Sequence, residues 1–159
     1  MVEMTLVYEG GLHARAMHGP SGAAIETDAP VDNQGKGEAF SPTDLLATSL
    51  VSCMLTTMAI VGEREGWKLD GARARVEKHM ELEPRRRVGR LVVELELPVD
   101  LTEVAQRRLE EVARGCPVAA SIHPETRIDL TFRWVAIDAA PRSTGIAEVR
   151  ADESVNGNE

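Results

Sequence analysis

Ser41 to Val61 reads SPTDLLATSLVSCMLTTMAIV, and how this stretch is read decides the fold. Ser41 suits a helix N-cap, Pro42 the first helical position, and Asp44 three residues on completes a capping-box-like start. From Leu45 to Val61 there is no charged residue, and apolar side chains fall on nearly every face of the predicted helix. Such a helix either spans a membrane or forms the buried centre of a domain. A span takes roughly 20 apolar residues. This run is shorter and carries five hydroxyls, at Thr48, Ser49, Ser52, Thr56 and Thr57, so it reads as a central core helix, reaching water at Glu63 and Arg64.

Working outward, the segments before this helix read as three short strands, Thr5 to Tyr8, His13 to Met17 and Ala23 to Thr27, joined by Gly-rich turns. Side chains two apart share a strand face, which puts His13 and Arg15 on one side. After the helix, Ala72 to Leu82 alternates with Ala72, Ala74, Val76, Met80 and Leu82 inward, and Leu91 to Leu97 does the same. Pro84 to Gly89 is the charged loop between them. Asp100 with Glu103 starts a second helix whose apolar stripe is Leu101, Val104, Ala105, Leu109, Val112 and Ala113. Gly115 ends it, Cys116-Pro117 opens a short helical turn, and Arg127 to Val135 is a last strand.

This order predicts an α+β domain, an antiparallel sheet wrapped around a central buried helix. The domain is expected over 1–138, followed by a polar, partly mobile tail over 139–159. Six strands on one side leave the other side of an all-apolar helix bare, so an intertwined homodimer is expected. With 159 residues, 43% of them apolar, the chain has enough for a core. A formal charge of −8 argues against nucleic acid or an anionic membrane as the main partner. Met1 to Gly11 carries two Glu and no long apolar run, so no signal peptide is expected and the predicted location is the cytoplasm.

Two cysteines in a reducing compartment are free or reactive more often than a structural staple. The plainer reading of Cys53 is a buried core thiol, whose surroundings raise its pKa. Cys116 precedes Pro117 at a helical start, where unpaired N–H groups favour a thiolate; its plainer reading is an N-cap. If the turn at Gly115 folds back, the two sulfurs approach each other, and together they suit peroxide chemistry. A thiolate attacks a peroxide to give a sulfenic acid, which a second thiol closes to a disulfide. A cation would lower the first pKa and orient the peroxide. Arg15 is the candidate, and Asp44, about two and a half turns before Cys53, is the acid that would hold it. Their plainer readings are a solvated strand arginine and a helix cap. His13 is a candidate base or an ordinary surface histidine. Leu50, Met54 and Met58 would give the cleft an apolar lining. His13 and His18 fall on opposite faces, and His123 stands seven residues from Cys116, which matches no zinc spacing, so no metal is expected.

Phe40 to Met54 (FSPTDLLATSLVSCM) and Gly115 to Pro124 (GCPVAASIHP) resemble the two cysteine motifs of the OsmC/Ohr superfamily, in its OsmC-like branch. The resemblance runs from about Tyr8 to Val135. It implies an intertwined α+β homodimer with sites at the subunit interface, acting as a cofactor-independent thiol peroxidase on organic hydroperoxides. It makes Cys53 peroxidatic and Cys116 resolving, with a dithiol reductant of lipoyl or other type. The peroxidase members carry Asn-Pro-Glu-Gln where this chain has Ser41-Pro42-Thr43-Asp44. Their arginine follows the Gly-Gly turn at a place that here falls near Leu12 or His13. The alternative function is a non-catalytic stress dimer holding a small apolar ligand in the interface cleft.

Overall fold

The computed structural model describes residues 1–137. The elements run β1 (Met4–Gly10), β2 (His13–His18), β3 (Ala24–Asp28), a short 3-10 turn (Val31–Asn33), α1 (Pro42–Glu65), β4 (Arg73–Glu81), β5 (Arg87–Pro98), α2 (Glu103–Arg114), α3 (Pro117–Ser121) and β6 (Arg127–Val135). The tail expected over 139–159 lies outside the described residues.

The protein is α+β, with two three-stranded sheets rather than one. β1, β2 and β3 form an antiparallel meander. The β1–β2 turn uses Gly10 and Gly11 at φ 90 and 58, left-handed conformations that cost glycine little. The second sheet is mixed: β4 and β5 are an antiparallel hairpin, but β6 runs parallel to β5, pairing Leu95 with Phe132 and Leu97 with Trp134. This corrects the all-antiparallel expectation. α2 and α3 lie between β5 and β6 in the chain, and a crossover through helices returns a strand in the same direction.

α1 begins as its sequence dictates. Ser41 Oγ accepts the Asp44 N–H at 3.2 Å, and the Asp44 carboxylate accepts the Ser41 N–H at 2.8 Å. Gly66, at φ 75, closes the helix, which runs one turn beyond Val61. Ala47, Leu50, Val51, Met54, Met58 and Gly62 form its buried stripe. They pack on Leu91, Val93, Leu95 and Leu97 of β5 and on Leu109 and Ala113 of α2. Each large side chain in this set contributes roughly 1.5–3 kcal/mol through burial. Leu50, Met54 and Met58 are therefore core, not the lining of a cleft.

That stripe is fully covered within one chain, and part of the rest of α1 is not. Leu46 and Ile60 of α1 are exposed, and so are Leu6, Val7, Tyr8, Met17 and Ile25 of the first sheet. α1 is long and apolar enough, by length and composition, to cross a membrane. Three further expectations need correcting. Leu82 lies beyond the end of β4, past an irregularity between His79 and Met80, and is exposed. Val104 sits on the outer face of α2. Thr102, not Asp100, caps that helix, its hydroxyl accepting the Ala105 N–H.

Candidate active site

Cys53 lies midway along α1 and is half-buried, while Cys116 is wholly buried between α2 and α3. Helix α2 ends at Gly115, and Pro117 restarts the chain as α3 with Cys116 as its N-cap. The Ala119 N–H donates to the Cys116 sulfur at 3.4 Å. This turn sets Cys116 and the start of α3 against Cys53, so the two thiols act on one another. Both are free. One helical turn after Cys53, Thr57 holds its hydroxyl oxygen 3.8 Å from the sulfur.

Burial pushes the Cys53 thiol up. The Val118 N–H, the Thr57 hydroxyl and the Cys116 thiol outweigh it, and the Cys53 pKa falls below the ordinary cysteine value. Burial also pushes the Cys116 thiol up, and there it prevails: the Ala119 and Val118 N–H groups offset it in part, while the neighbouring Cys53 adds to it. Cys53 is thus the more acidic thiol. A helical start alone would favour Cys116; the depth of Cys116 and the effect of the Val118 N–H on the other sulfur reverse the order.

The remaining expected residues stand apart from this pair. Asp44 precedes Cys53 by nine residues, about two and a half turns, so the two project from opposite sides of α1. Asp44 is held by Lys78, whose Nζ lies 2.6 Å from Oδ1, and by Ser41 on Oδ2. Burial raises its pKa, but these donors lower it further, leaving the carboxyl below its ordinary range. Arg15 is not its partner. Arg15 is exposed mid-strand on β2, opposite Val7 and Glu26. His13 is bound at Nδ1 by Asp28, a carboxylate only 3% exposed that also accepts the Glu38 and Ala39 N–H groups. The bond to Asp28 raises the His13 pKa against a smaller opposing effect of burial. Neither His13 nor Arg15 is among the groups acting on Cys53 within the chain.

Lys78 went unnoticed in the sequence. It stands on the inward face of β4 between Val76 and Met80, its side chain 17% exposed, and Thr43 also accepts from it at 2.9 Å. The signal was a single charge interrupting an otherwise apolar alternation. Lys78, Asp44, Phe40, Thr48 and Val76 line a cavity of about 610 Å³ on the side of α1 away from Cys53. Among the described residues no cluster of three or more His, Cys, Asp or Glu side chains could hold a metal ion.

A family model described as OsmC-like protein matches residues 35–131. No curated protein matches the chain. Among solved structures, one from Psychrobacter arcticus, assigned provisionally as an osmotic stress induced and detoxification response protein, is 44% identical. The match covers 84% of this chain and 96% of that one at a TM-score of 0.79. An organic hydroperoxide resistance protein OsmC from Legionella pneumophila is 18% identical over 84% of this chain and 96% of that one, with a TM-score of 0.65. The organic hydroperoxide resistance protein OhrB of Bacillus subtilis is 14% identical over 84% and 98%, with a TM-score of 0.61. The last two show likeness of fold alone.

Proposed function

The chain belongs to the OsmC-like family, and from that premise we propose that it is a cysteine-based peroxidase for organic hydroperoxides, active as a cytoplasmic homodimer. The observation that carries this reading is the pairing of a more acidic Cys53 with a buried, less acidic Cys116 beside it.

The chemistry follows from that order of acidity. The Cys53 thiolate attacks the terminal oxygen of ROOH. An S–O bond forms, the O–O bond breaks, and the alkoxide takes a proton from water to leave as ROH. Cys116 then attacks the sulfenic sulfur, its proton leaving with the hydroxyl as water, and a Cys53–Cys116 disulfide results. An external dithiol of lipoyl or similar type takes up the oxidising equivalents by thiol–disulfide exchange. Among the described residues of one chain, no cation acts on Cys53. In the proposed intertwined dimer Arg15 reaches across to supply one. The bare apolar residues of α1 and of the first sheet support such a dimer, since monomers rarely leave so many uncovered together.

The test is turnover with a dithiol reductant and an alkyl hydroperoxide. Cys53→Ser abolishes consumption, whereas Cys116→Ser retains a single turnover. Dithiol-dependent activity in Cys53→Ser at the wild-type level would overturn the reading. A second reading, a non-catalytic dimer holding a small apolar ligand, is favoured by one observation. The carboxylate of the 41–44 segment points away from Cys53 into the 610 Å³ cavity and is already bound by Lys78.

A further inference from the structure

We propose that Thr57 is a positioning residue for Cys53: its hydroxyl proton points to the Cys53 carbonyl while the sulfur is a thiol and turns onto the sulfur once the thiol ionises. The inference rests on the reading of Cys53 as the attacking thiol.

Thr57 Oγ1 lies 2.6 Å from the Cys53 carbonyl oxygen and 3.8 Å from the Cys53 sulfur. A hydroxyl carries one proton and two lone pairs, so it can donate to only one of these at a time. With Cys53 protonated, the Thr57 proton goes to the carbonyl and the S–H points at the Thr57 oxygen. When the thiol proton leaves to water, the sulfur becomes the stronger acceptor, and rotation about the C–O bond alone delivers the hydroxyl proton to it. The side chain keeps its rotamer. The carbonyl is not abandoned, because within α1 it also accepts the backbone N–H of Thr57. No bond to carbon, sulfur or oxygen is made or broken at Thr57, and no electrons move.

The groups that act on the Cys53 sulfur are few. From α1 there is Thr57; from the start of α3 come the Val118 N–H and the Cys116 thiol. Among the described residues no charged side chain is one of them. In this setting a neutral donor that turns on demand adds to the stabilisation that the Val118 N–H supplies.

The experiment is alkylation of the native protein by iodoacetamide as a function of pH, with Cys53 and Cys116 followed separately by peptide mass. Thr57→Val, which keeps the shape and drops the hydroxyl, is expected to lower the Cys53 rate about tenfold on the acid side of its midpoint and to move that midpoint up. Thr57→Ser restores both. Thr57→Ala is read in the same way should Thr57→Val not give folded protein. A midpoint unchanged on loss of the hydroxyl, or a shift in Thr57→Ser as large as in Thr57→Val, overturns the proposal. Alkylation needs no peroxide. A protein that shows the shift yet consumes no hydroperoxide overturns the peroxidase reading and leaves Thr57 in its role.

Discussion

Lys78 Nζ lies 2.6 Å from Asp44 Oδ1, and this contact ties the second strand pair to the first turn of α1. Lys78 also reaches Thr43 and Ser41, so all three of its donors are engaged at the helix start. Removing the amine strips Asp44 of its charged partner while the apolar stem is easily replaced. Lys78→Met is expected to cost about 1–2 kcal/mol in urea unfolding, the Asp44 side being open enough to water to moderate the loss. Lys78→Met with Asp44→Asn costs less than the two separate losses added together. The folded Asp44 carboxyl lies below 3.8, so its contribution is present above that value and fades as pH falls through the folded pKa. In Lys78→Met the folded pKa of Asp44 moves back up, and this acid-side loss shrinks.

His13 and Asp28 give a second pH signature. The folded His13 pKa is raised above 6.5, so its contribution is full below 6.5 and is lost as pH rises through the folded value. Asp28 is shifted the other way, below 3.8, and its contribution is lost as pH falls past that folded value. The pair therefore steadies the 28–40 loop most between about 3.8 and 6.5. Asp28→Asn flattens this dependence, and the amides of Glu38 and Ala39 exchange faster with deuterium, since both donate to Asp28.

Cys116 has a structural duty separable from any redox one, because its sulfur caps α3. Cys116→Ala leaves the Ala119 N–H without an acceptor and is expected to lower stability by about 1 kcal/mol. Cys116→Ser keeps an acceptor and costs less. Thermal melts of the two variants under reducing conditions check the order.

Ile60 is exposed on α1 next to a face that a second copy of the chain would cover in the proposed homodimer. Ile60→Glu is expected to shift the sedimentation-equilibrium mass from two chains towards one, or to make stability depend steeply on protein concentration. Wild-type protein sedimenting as a single chain at micromolar concentration would contradict the dimer.

Much of this was legible in the residues because it is local. Ser41, Pro42 and Asp44 announce the start of α1, and the alternation of Leu91, Val93, Leu95 and Leu97 fixes the inward face of β5. Cys116-Pro117 gave the α3 start for the same reason. What stayed hidden depends on distant chain. Whether β6 runs with β5 or against it is set by the helical crossover, not by its own alternation. Asp44 and Cys53 share a helix, but half a turn of phase separates their surroundings, and counting turns without counting phase assigned Asp44 to the wrong side. The order of acidity of the two thiols depends on the depth of Cys116 and on the Val118 N–H, neither of which a local reading of either motif contains. Lys78 drew no notice in its strand because its partners lie thirty-odd residues earlier.

The most direct measurement is a count of thiols on the native, reduced protein before and after one equivalent of cumene hydroperoxide, with the peptides mapped by mass. Loss of two thiols per chain and recovery of a Cys53–Cys116 linked peptide is the predicted result. Two thiols per chain still titrating after the peroxide, with both cysteines recovered as free peptides, would contradict it.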